Sequence, residues 1–378
     1  MLYHVGRIKA IQLNGTYKQM GRQYGRLLSA DMRGMYNEII NQYTVNKIIS
    51  SRSQLDDFSK NLFQLYPQRF QSLAQGISET SGLKLAELAT INEFFDYILY
   101  RGPGTPAAPE SKAHCSGIAV WGDYTGQGPL VMGRNFDFPN FYKKFDPYLV
   151  VVVFNPTDGS RPSAILAYAG QIGAVQAFND AGLVIENNDG SNSGDKARFF
   201  GQRIPFLIKG LEMSLDCSSL DGLDAAMKSY RIQYPLLFNV AGPDRAYCYE
   251  MTTYDVKRRG GEQDGLLVGV NHFLSPGWPT PPPDPQSYTE DSKLRHHNLV
   301  RLAEKFKGKI DAGQMMAILD IPKESGGPTP SDTNPLGANI YRFVAVPKQL
   351  KLWIKVPDYM DWTRIDLDQL FHSGNAGQ

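Results

Sequence analysis

The chain has 378 residues, of which 42% are hydrophobic and 20% charged, a composition typical of a well-packed globular protein with one large domain and an accessory segment. Its 39 basic and 38 acidic residues nearly cancel and no basic block stands out, so a nucleic-acid surface is not expected. The longest apolar run, residues 148–154, is far shorter than the roughly 20 residues of a membrane span.

The start of the sequence lacks the pattern of a secretory leader. No basic stretch followed by an apolar run and a small-residue cleavage site is present. We therefore expect either a cytoplasmic protein or an exported protein whose leader is not part of this sequence.

The first part of the chain, up to residue 101, is predicted to be mainly helical after a short strand at residues 5–13. Apolar side chains at helical spacing predict three helices, over residues 17–43, 53–77 and 83–100. Residues 101–112 contain three prolines and two glycines, which predict a loop or linker.

The spacing of the apolar residues changes at Cys115. Short apolar runs separated by turn residues predict strands at residues 115–121, 130–135, 148–154, 163–168, 174–178, 183–186, 236–240, 246–251, 255–259, 266–270, 340–346 and 350–356. Helices are predicted between them, at residues 204–214, 219–230, 292–305 and 311–319. Hairpin-connected strands with paired helices favour an α+β fold of stacked antiparallel sheets between helical layers.

Three cysteines are too few for a disulfide framework. Cys217 follows an apolar helix and Cys248 lies in a strand, as is typical of buried structural thiols; a bridge between them, which would imply export, is the alternative. Cys115 differs, because it opens the first strand of the β-rich part directly after the predicted loop. The chain could be cut there without disturbing a packed element.

The residues around Cys115 suit the cleavage of an amide, which requires a strong nucleophile, a base and donors to the oxyanion. Arg134 and Asp137 lie one predicted hairpin later, so the strand ends should place both beside the sulfur. Arg134 could stabilise a thiolate or bind an acyl oxygen. Asp137 could accept a hydrogen bond from an α-amino group at Cys115, whose ordinary pKa near 8 suits a base. The alternative is that Arg134 and Asp137 only pair at a strand end.

The motifs resemble those of the N-terminal-nucleophile amide hydrolases. The resemblance is closest to the branch of acyl-CoA:6-aminopenicillanic acid (isopenicillin N) acyltransferase, with bile salt hydrolase, penicillin V acylase, acid ceramidase and N-acylethanolamine amidase as relatives. It is carried by Asn14-Gly-Thr-Tyr17, Cys115-Ser-Gly-Ile118, Gly133-Arg-Asn-Phe-Asp137, Asn179-Asp-Ala-Gly-Leu183, Val270-Asn-His-Phe273 and Ser292-Lys-Leu-Arg295.

The resemblance implies a four-layer αββα sandwich with a helical N-terminal segment. It also implies self-cleavage between His114 and Cys115, which divides the chain into a small subunit or pro-segment, residues 1–114, and a catalytic core, residues 115–378. No cofactor is implied, and no His, Cys or carboxylate group has metal-ligand spacing, so no metal is expected. An oligomer of cleaved heterodimers is compatible with this reading.

Six residues of this sequence match the site positions of the family. The resemblance implies that Cys115 is the nucleophile and, through its α-amino group, the base, with Arg134 and Asp137 organising that end of the site. Asn271 would donate to the oxyanion together with Asn188, or with the adjacent Asn187 if the register differs by one residue. Arg295 would brace the site or hold a substrate carboxylate.

These features together predict hydrolysis of a small linear N-acyl amide through an acyl-thioester at Cys115. Two alternatives remain, namely an acyltransferase that passes the acyl group to an amine, and an uncleaved, non-enzymatic binder of acylated small molecules. His272 is interpreted as a packing residue, with a Cys–His catalytic pair as the alternative. An aromatic cluster is either core or part of an acyl pocket with the Trp278 loop; it consists of Phe136, Phe138, Phe141, Tyr142, Phe145 and Tyr148.

Overall fold

Two β-sheets form the centre of the protein in a computed structural model, which describes residues 1–100, 114–278, 288–330 and 337–372. The strands are β1 (Leu2–Val5), β2 (Ile8–Gly15), β3 (Ser116–Val120), β4 (Val131–Phe138), β5 (Leu149–Pro156), β6 (Ser163–Tyr168), β7 (Gln176–Asn179), β8 (Val184–Asp189), β9 (Leu236–Ala241), β10 (Ala246–Met251), β11 (Val256–Arg259), β12 (Leu266–Gly269), β13 (Ala338–Val346), β14 (Lys351–Val356) and β15 (Met360–Asp366).

The larger sheet has the strand order β1-β2-β5-β6-β7-β8-β9-β10-β11, and the smaller has the order β12-β3-β4-β13-β14-β15. Neighbouring strands are antiparallel except β2 and β5, which run parallel. The helices are α1 (Tyr17–Leu27), α2 (Ser29–Val45), α3 (Arg52–Phe63), α4 (Gln68–Ser81), α5 (Leu85–Leu99), α6 (Phe206–Asp216), α7 (Leu220–Ser229), α8 (Tyr288–Lys305), α9 (Ala312–Leu319) and α10 (Leu367–His372).

Helices cover the outer face of each sheet. On the larger sheet, α1 packs against β2 and β5, and α6 packs against β6, β7 and β8. On the smaller sheet, α8 packs against β12 and β3, and α9 packs against β4 and β13. The inner faces meet, because β12 of the smaller sheet contacts β9 and β10 of the larger one. The predicted four-layer αββα sandwich is therefore confirmed.

The N-terminal segment differs in part from the prediction of one short strand followed by three helices. The strand predicted at residues 5–13 is the hairpin β1–β2, and β2 pairs with β5, so this segment supplies the edge of the larger sheet. The helix predicted at residues 17–43 breaks at Leu28, whose φ of −127° and ψ of 27° leave the helical region. The helix predicted at residues 53–77 ends before Pro67, which cannot continue it.

The structure contains two elements that were not predicted, and it decides between the alternatives for two of the cysteines. Strand β15 and helix α10 were not predicted, since their short, polar segments carry little periodicity. Cys217 and Cys248 are free and buried, so the alternative of a bridge between them is wrong. Each helix among the described residues is too short or too polar to cross a lipid bilayer.

Helices α1 and α4 pack backbone against backbone. A Cβ atom built at Gly21 of α1 would lie 2.0 Å from the Leu73 carbonyl oxygen, and one at Gly76 of α4 would lie 2.2 Å from the Lys18 carbonyl oxygen. Only glycine fits at these positions, because real Cβ atoms do not approach other atoms so closely. Glycine at these two positions therefore sets how closely α1, which packs on β2, approaches α4.

Helix α5 carries a buried acidic pair one turn apart, Glu93 and Asp96. The side chain of Glu93 is 1% exposed and that of Asp96 is 0% exposed. The Tyr66 hydroxyl donates to Glu93, and the charge of Asp96 acts on the Glu93 carboxyl. Burial raises the pKa of both carboxyl groups above their ordinary values, since a low dielectric disfavours the charged form.

The close packing of α1 on α4 predicts the effect of adding one methyl group. Gly21→Ala should lower the free energy of unfolding by about 1–3 kcal/mol, because the methyl overlaps the Leu73 carbonyl oxygen. Gly222→Ala on α7 is the matched control, since its Cβ would lie 3.6 Å from the nearest atom, Ser219 Oγ. The control should stabilise by about 0.5–1 kcal/mol in urea denaturation. Equal effects of the two changes would contradict the close contact.

The buried pair on α5 predicts a pH dependence of stability. Acids whose pKa is raised by folding keep protons that the unfolded chain releases, so their contribution to stability declines as the pH rises above about 4. In a Cys115→Ala chain, used to keep one covalent species, the free energy of unfolding should be lower at pH 8 than at pH 5.5. Asp96→Asn should reduce this difference. An unchanged difference in urea denaturation at the two pH values would argue against a protonated Asp96 in the fold.

Candidate active site

Cys115 directly precedes β3 and is 1% exposed. Strands β3 and β4 pair antiparallel with Gly117 opposite Arg134, which is the hairpin expected from the sequence. The pairing brings Arg134 Nη2 to 3.5 Å from Cys115 Sγ. The structure therefore places the guanidinium beside the thiol.

Arg134 is fully buried and bonded to both sheets. From β4 of the smaller sheet it donates to the carbonyl oxygens of Val175 at 2.9 Å and Asn187 at 2.6 Å, both in the larger sheet layer. Its Nε lies 3.8 Å from Glu186 Oε2. Burial raises the pKa of the Cys115 thiol, and the charge of Arg134 opposes this rise. In the intact chain the thiol is thus protonated at neutral pH and requires a base.

Asp137 contacts both sides of the bond between residues 114 and 115. Its carbonyl oxygen accepts from His114 N at 3.1 Å and from Cys115 Sγ at 3.9 Å. Its Oδ1 accepts from Asn339 Nδ2 at 2.6 Å, while its Oδ2 has no hydrogen-bond partner among the described residues. Burial raises the pKa of Asp137 to about 7. One buried carboxyl oxygen therefore remains for a new donor close to Cys115.

Arg295 reaches Cys115 from α8 and is 1% exposed. Its Nη1 donates to Cys115 O at 2.7 Å and to Ser116 Oγ at 2.9 Å, and its Nη2 donates to Asn271 Oδ1 at 3.0 Å. Its Nε donates to Asp291 Oδ2 at 2.8 Å. Every nitrogen of the guanidinium is engaged within the protein, so of the two expected roles the geometry favours bracing.

The candidate oxyanion donors lie at the same end of the sandwich. Asn271, just after β12, donates from Nδ2 to Asp189 O at 2.9 Å. Asn188 reaches from β8 to Gly269 O of the smaller sheet at 3.1 Å, whereas Asn187 Nδ2 bonds Val175 O at 3.1 Å within its own sheet layer. Asn188 therefore points into the space between the sheets, as the first of the two register choices requires. None of these amides hydrogen-bonds Cys115 in the part of the chain that is described.

No sequence motif indicated the buried polar pair next to Gly117, Glu186 and Asn239. Asn239 Nδ2 donates to Glu186 Oε1 at 2.8 Å, and burial raises the pKa of Glu186 to about 7. A Cβ at Gly117 would lie 1.9 Å from Glu186 Oε1, and one at Gly269 would lie 1.8 Å from Asn239 Oδ1. Glycine in β3 and β12 thus makes room for the pair. Gly117 belongs to the Cys115–Ile118 motif, but no pattern in the sequence indicates that Glu186 lies against it.

The sequence patterns did not indicate Asp291 as a site residue either. Its Oδ2 lies 2.9 Å from His114 Nδ1 and its Oδ1 accepts from Lys323 Nζ at 2.6 Å. Burial acts against ionisation, but the hydrogen bond from His114, the charge of Arg295 and the hydrogen bond from Lys323 hold the pKa of Asp291 well below its usual range. The signal in the sequence was its position just before the Ser292–Arg295 motif.

His272 and most of the aromatic cluster have packing roles. His272 Nδ1 lies 2.8 Å from Ser292 Oγ, and burial lowers the pKa of the imidazole to about 3, so the ring stays neutral. Phe138 stacks on Phe95 of α5 with ring centroids 4.6 Å apart. Phe136 lines an apolar cavity of about 20 Å³. The other residues that line this cavity are Val175, Phe95, Leu149, Leu166, Ala167, Tyr168, Gln171, Ala174, Leu207 and Tyr341.

No three His, Cys, Asp or Glu side chains converge on a metal position within residues 1–100, 114–278, 288–330 and 337–372. The described site is built from a thiol, two guanidinium groups, side-chain amides and buried carboxyls. These groups can supply a nucleophile, fixed positive charge and hydrogen bonds to an oxyanion.

Three solved structures illustrate a partial similarity of this chain to known proteins. A mutant of conjugated bile acid hydrolase from Clostridium perfringens is 13% identical over 68% of this chain and 93% of that chain, with a TM-score of 0.47. An N-acylethanolamine-hydrolyzing acid amidase ortholog from Caenorhabditis elegans is 14% identical over 67% of this chain and 99% of that chain, with a TM-score of 0.45. Penicillin V acylase from Agrobacterium tumefaciens is 12% identical over 68% of this chain and 89% of that chain, with a TM-score of 0.47. Similarities this low carry no information about substrate. No curated protein matches the sequence significantly.

The family model described as acyl-coenzyme A:6-aminopenicillanic acid acyl-transferase matches residues 124–359. The match begins after Cys115 and includes Arg134, Asp137, Asn271 and Arg295. It covers more than half of the chain, in agreement with the resemblance inferred from the motifs. The chain therefore belongs to the acyl-coenzyme A:6-aminopenicillanic acid acyl-transferase family.

Proposed function

We propose that this protein cuts its own backbone between His114 and Cys115 and then cleaves a small linear N-acyl amide through a thioester at Cys115. The observation that carries the proposal is the fixed environment of one peptide bond. His114 N is bound by Asp137 O, Cys115 O is bound by Arg295, and the Cys115 thiol lies beside Arg134. Membership of a family of acyl-transferases supports the same chemistry.

Self-cleavage follows from attack of the thiol on the preceding carbonyl. Cys115 Sγ loses its proton to a base and bonds to the His114 carbonyl carbon; the buried Asp137 carboxyl, with a pKa raised to about 7, is suited to take this proton. The C–N bond then breaks, and Cys115 N gains a proton to become a free α-amine. Water hydrolyses the thioester, which restores the thiol and leaves a carboxylate on His114. The net change consumes one water.

Turnover uses the amine that self-cleavage creates. The α-amino group of Cys115 takes the thiol proton, and the free Oδ2 of Asp137 accepts a hydrogen bond from the resulting ammonium. The sulfur attacks the acyl carbon of the substrate, while side-chain amides of Asn271 and Asn188 donate to the oxyanion. The amine product leaves with a proton, and water hydrolyses the thioester. Arg134 supplies fixed positive charge beside the sulfur throughout.

Transfer of the acyl group to an amine is the second candidate, and the family description favours it. The thioester is common to both reactions, and only the acceptor differs. Adding amine acceptors during turnover measures the partition directly, because an acyltransferase would form a new amide at the expense of the free acid.

Self-cleavage predicts two fragments whose boundary is at residue 115. The intact mass of freshly synthesised protein should convert to these fragments with time, and Cys115→Ala should remain whole. Cys217→Ala is the matched control, since Cys217 is also a buried free thiol but lies after α6, and it should cleave normally. A wild-type chain that stays whole and whose Cys115 does not react with thiol reagents would instead support a non-enzymatic binder.

The oxyanion role predicts a selective loss of kcat. In assays on N-acyl amino acids, penicillins, bile-salt conjugates and N-acylethanolamines, Asn271→Ala should reduce kcat by about 10²–10³-fold on whichever substrate turns over, with little change in KM. Asn298→Ala is the control, because Asn298 is also a buried amide bonded to a carbonyl, that of Gly327 at 2.9 Å. Similar kcat values for the two variants would contradict the assignment.

A further inference from the structure

His114, the residue that precedes the proposed cleavage point, is buried and has contacts at both its side chain and its backbone. His114 is 3% exposed, and its Nδ1 lies 2.9 Å from Asp291 Oδ2. Its backbone N–H donates to Asp137 O at 3.1 Å. The residue on the N-terminal side of the bond is therefore fixed at two points.

Asp291 is itself held by two cations. It lies in the first turn of α8 and accepts from Arg295 Nε at 2.8 Å and from Lys323 Nζ at 2.6 Å. Its side chain is 9% exposed. A carboxylate at a helix N-terminus between two positive charges is stable in its ionised form. Asp291 can therefore serve as a rigid acceptor for the imidazole.

The same carboxylate connects both sides of the peptide bond. On one side it contacts the His114 ring directly, and on the other it holds Arg295, whose Nη1 bonds Cys115 O at 2.7 Å. We propose that Asp291 is a positioning residue for self-cleavage, which it promotes by fixing the His114 carbonyl relative to the Cys115 thiol. This inference rests on the proposed self-cleavage.

The physical reason lies in the geometry of attack. A thiol must approach an amide carbon from above the peptide plane, and rotation within His114 would turn that plane away. Small misplacements of reacting groups reduce rates steeply, because much of the advantage of an intramolecular reaction is orientation. Contacts on His114 N, on the His114 ring and on Cys115 O fix both flanking peptide planes.

Asp291 is expected to affect self-cleavage more than later turnover. Once the bond is cut, His114 is no longer covalently joined to the nucleophile, so Asp291 can affect turnover only through Arg295. Asp291 variants should therefore slow the first self-cleavage more than they slow hydrolysis of substrate by the fraction that has cleaved.

The test measures the rate of fragment formation after cell-free synthesis of the full chain. Asp291→Asn should slow self-cleavage by about tenfold to a hundredfold, and Asp291→Glu should recover part of the rate. Asp224→Asn is the matched control, because Asp224 also bonds two cations, Lys228 and Arg258, but lies on α7. The control should cleave at the wild-type rate.

A double-mutant cycle shows whether Asp291 acts through the imidazole. His114→Ala should slow cleavage as well, and adding Asp291→Asn to it should have a much smaller effect than in the wild type. Wild-type rates for Asp291→Asn, or equal slowing in both backgrounds, would overturn positioning through His114 while leaving the proposed function intact. A wild-type chain that never cleaves overturns both. Thermal midpoints identify any variant that has merely lost stability. If Asp291→Asn is such a variant, the self-cleavage rate of Asp291→Glu decides the test instead.

Discussion

The buried guanidinium of Arg134 joins the two sheets around Cys115, the proposed nucleophile, and the rest of the site depends on this contact. It extends from β4 to the carbonyl oxygens of Val175 and Asn187 in the opposite layer and lies 3.5 Å from Cys115 Sγ. A buried cation must be paired and hydrogen-bonded to be tolerated. The nearby Glu186 and the two carbonyls meet that need, which fixes the separation of the sheets where Cys115 lies.

A second guanidinium, Arg295, organises the other side. It connects α8 to Cys115 O and to Asn271, and Asp291 connects it to His114. The two cations thus contact different atoms of Cys115, Arg134 the sulfur and Arg295 the carbonyl oxygen. These contacts come from α8, β4 and β12, which belong to the smaller sheet or pack on it. Such preorganisation is what attack on a poor electrophile requires.

The segment before the proposed cleavage point is an integral part of the fold. β2 completes the larger sheet by pairing with β5, and Phe95 of α5 stacks on Phe138 of β4. A cut between residues 114 and 115 would leave these contacts in place. We therefore expect the two parts to remain associated, since separating them would expose the strand edge and the buried aromatic rings to water.

The sequence by itself determined the fold class and the closeness of Arg134 to Cys115, the proposed nucleophile. Turn residues and strand length determine the β3–β4 hairpin, and a hairpin necessarily brings Arg134 beside Cys115. The breaks in the N-terminal helices and the parallel β2–β5 pair were not predicted, because local apolar spacing does not record where a segment docks. Only the tertiary structure revealed Glu186, Asn239 and Asp291 as parts of the site. Their partners are distant along the chain, so each contact arises from packing of the layers and has no local pattern in the sequence.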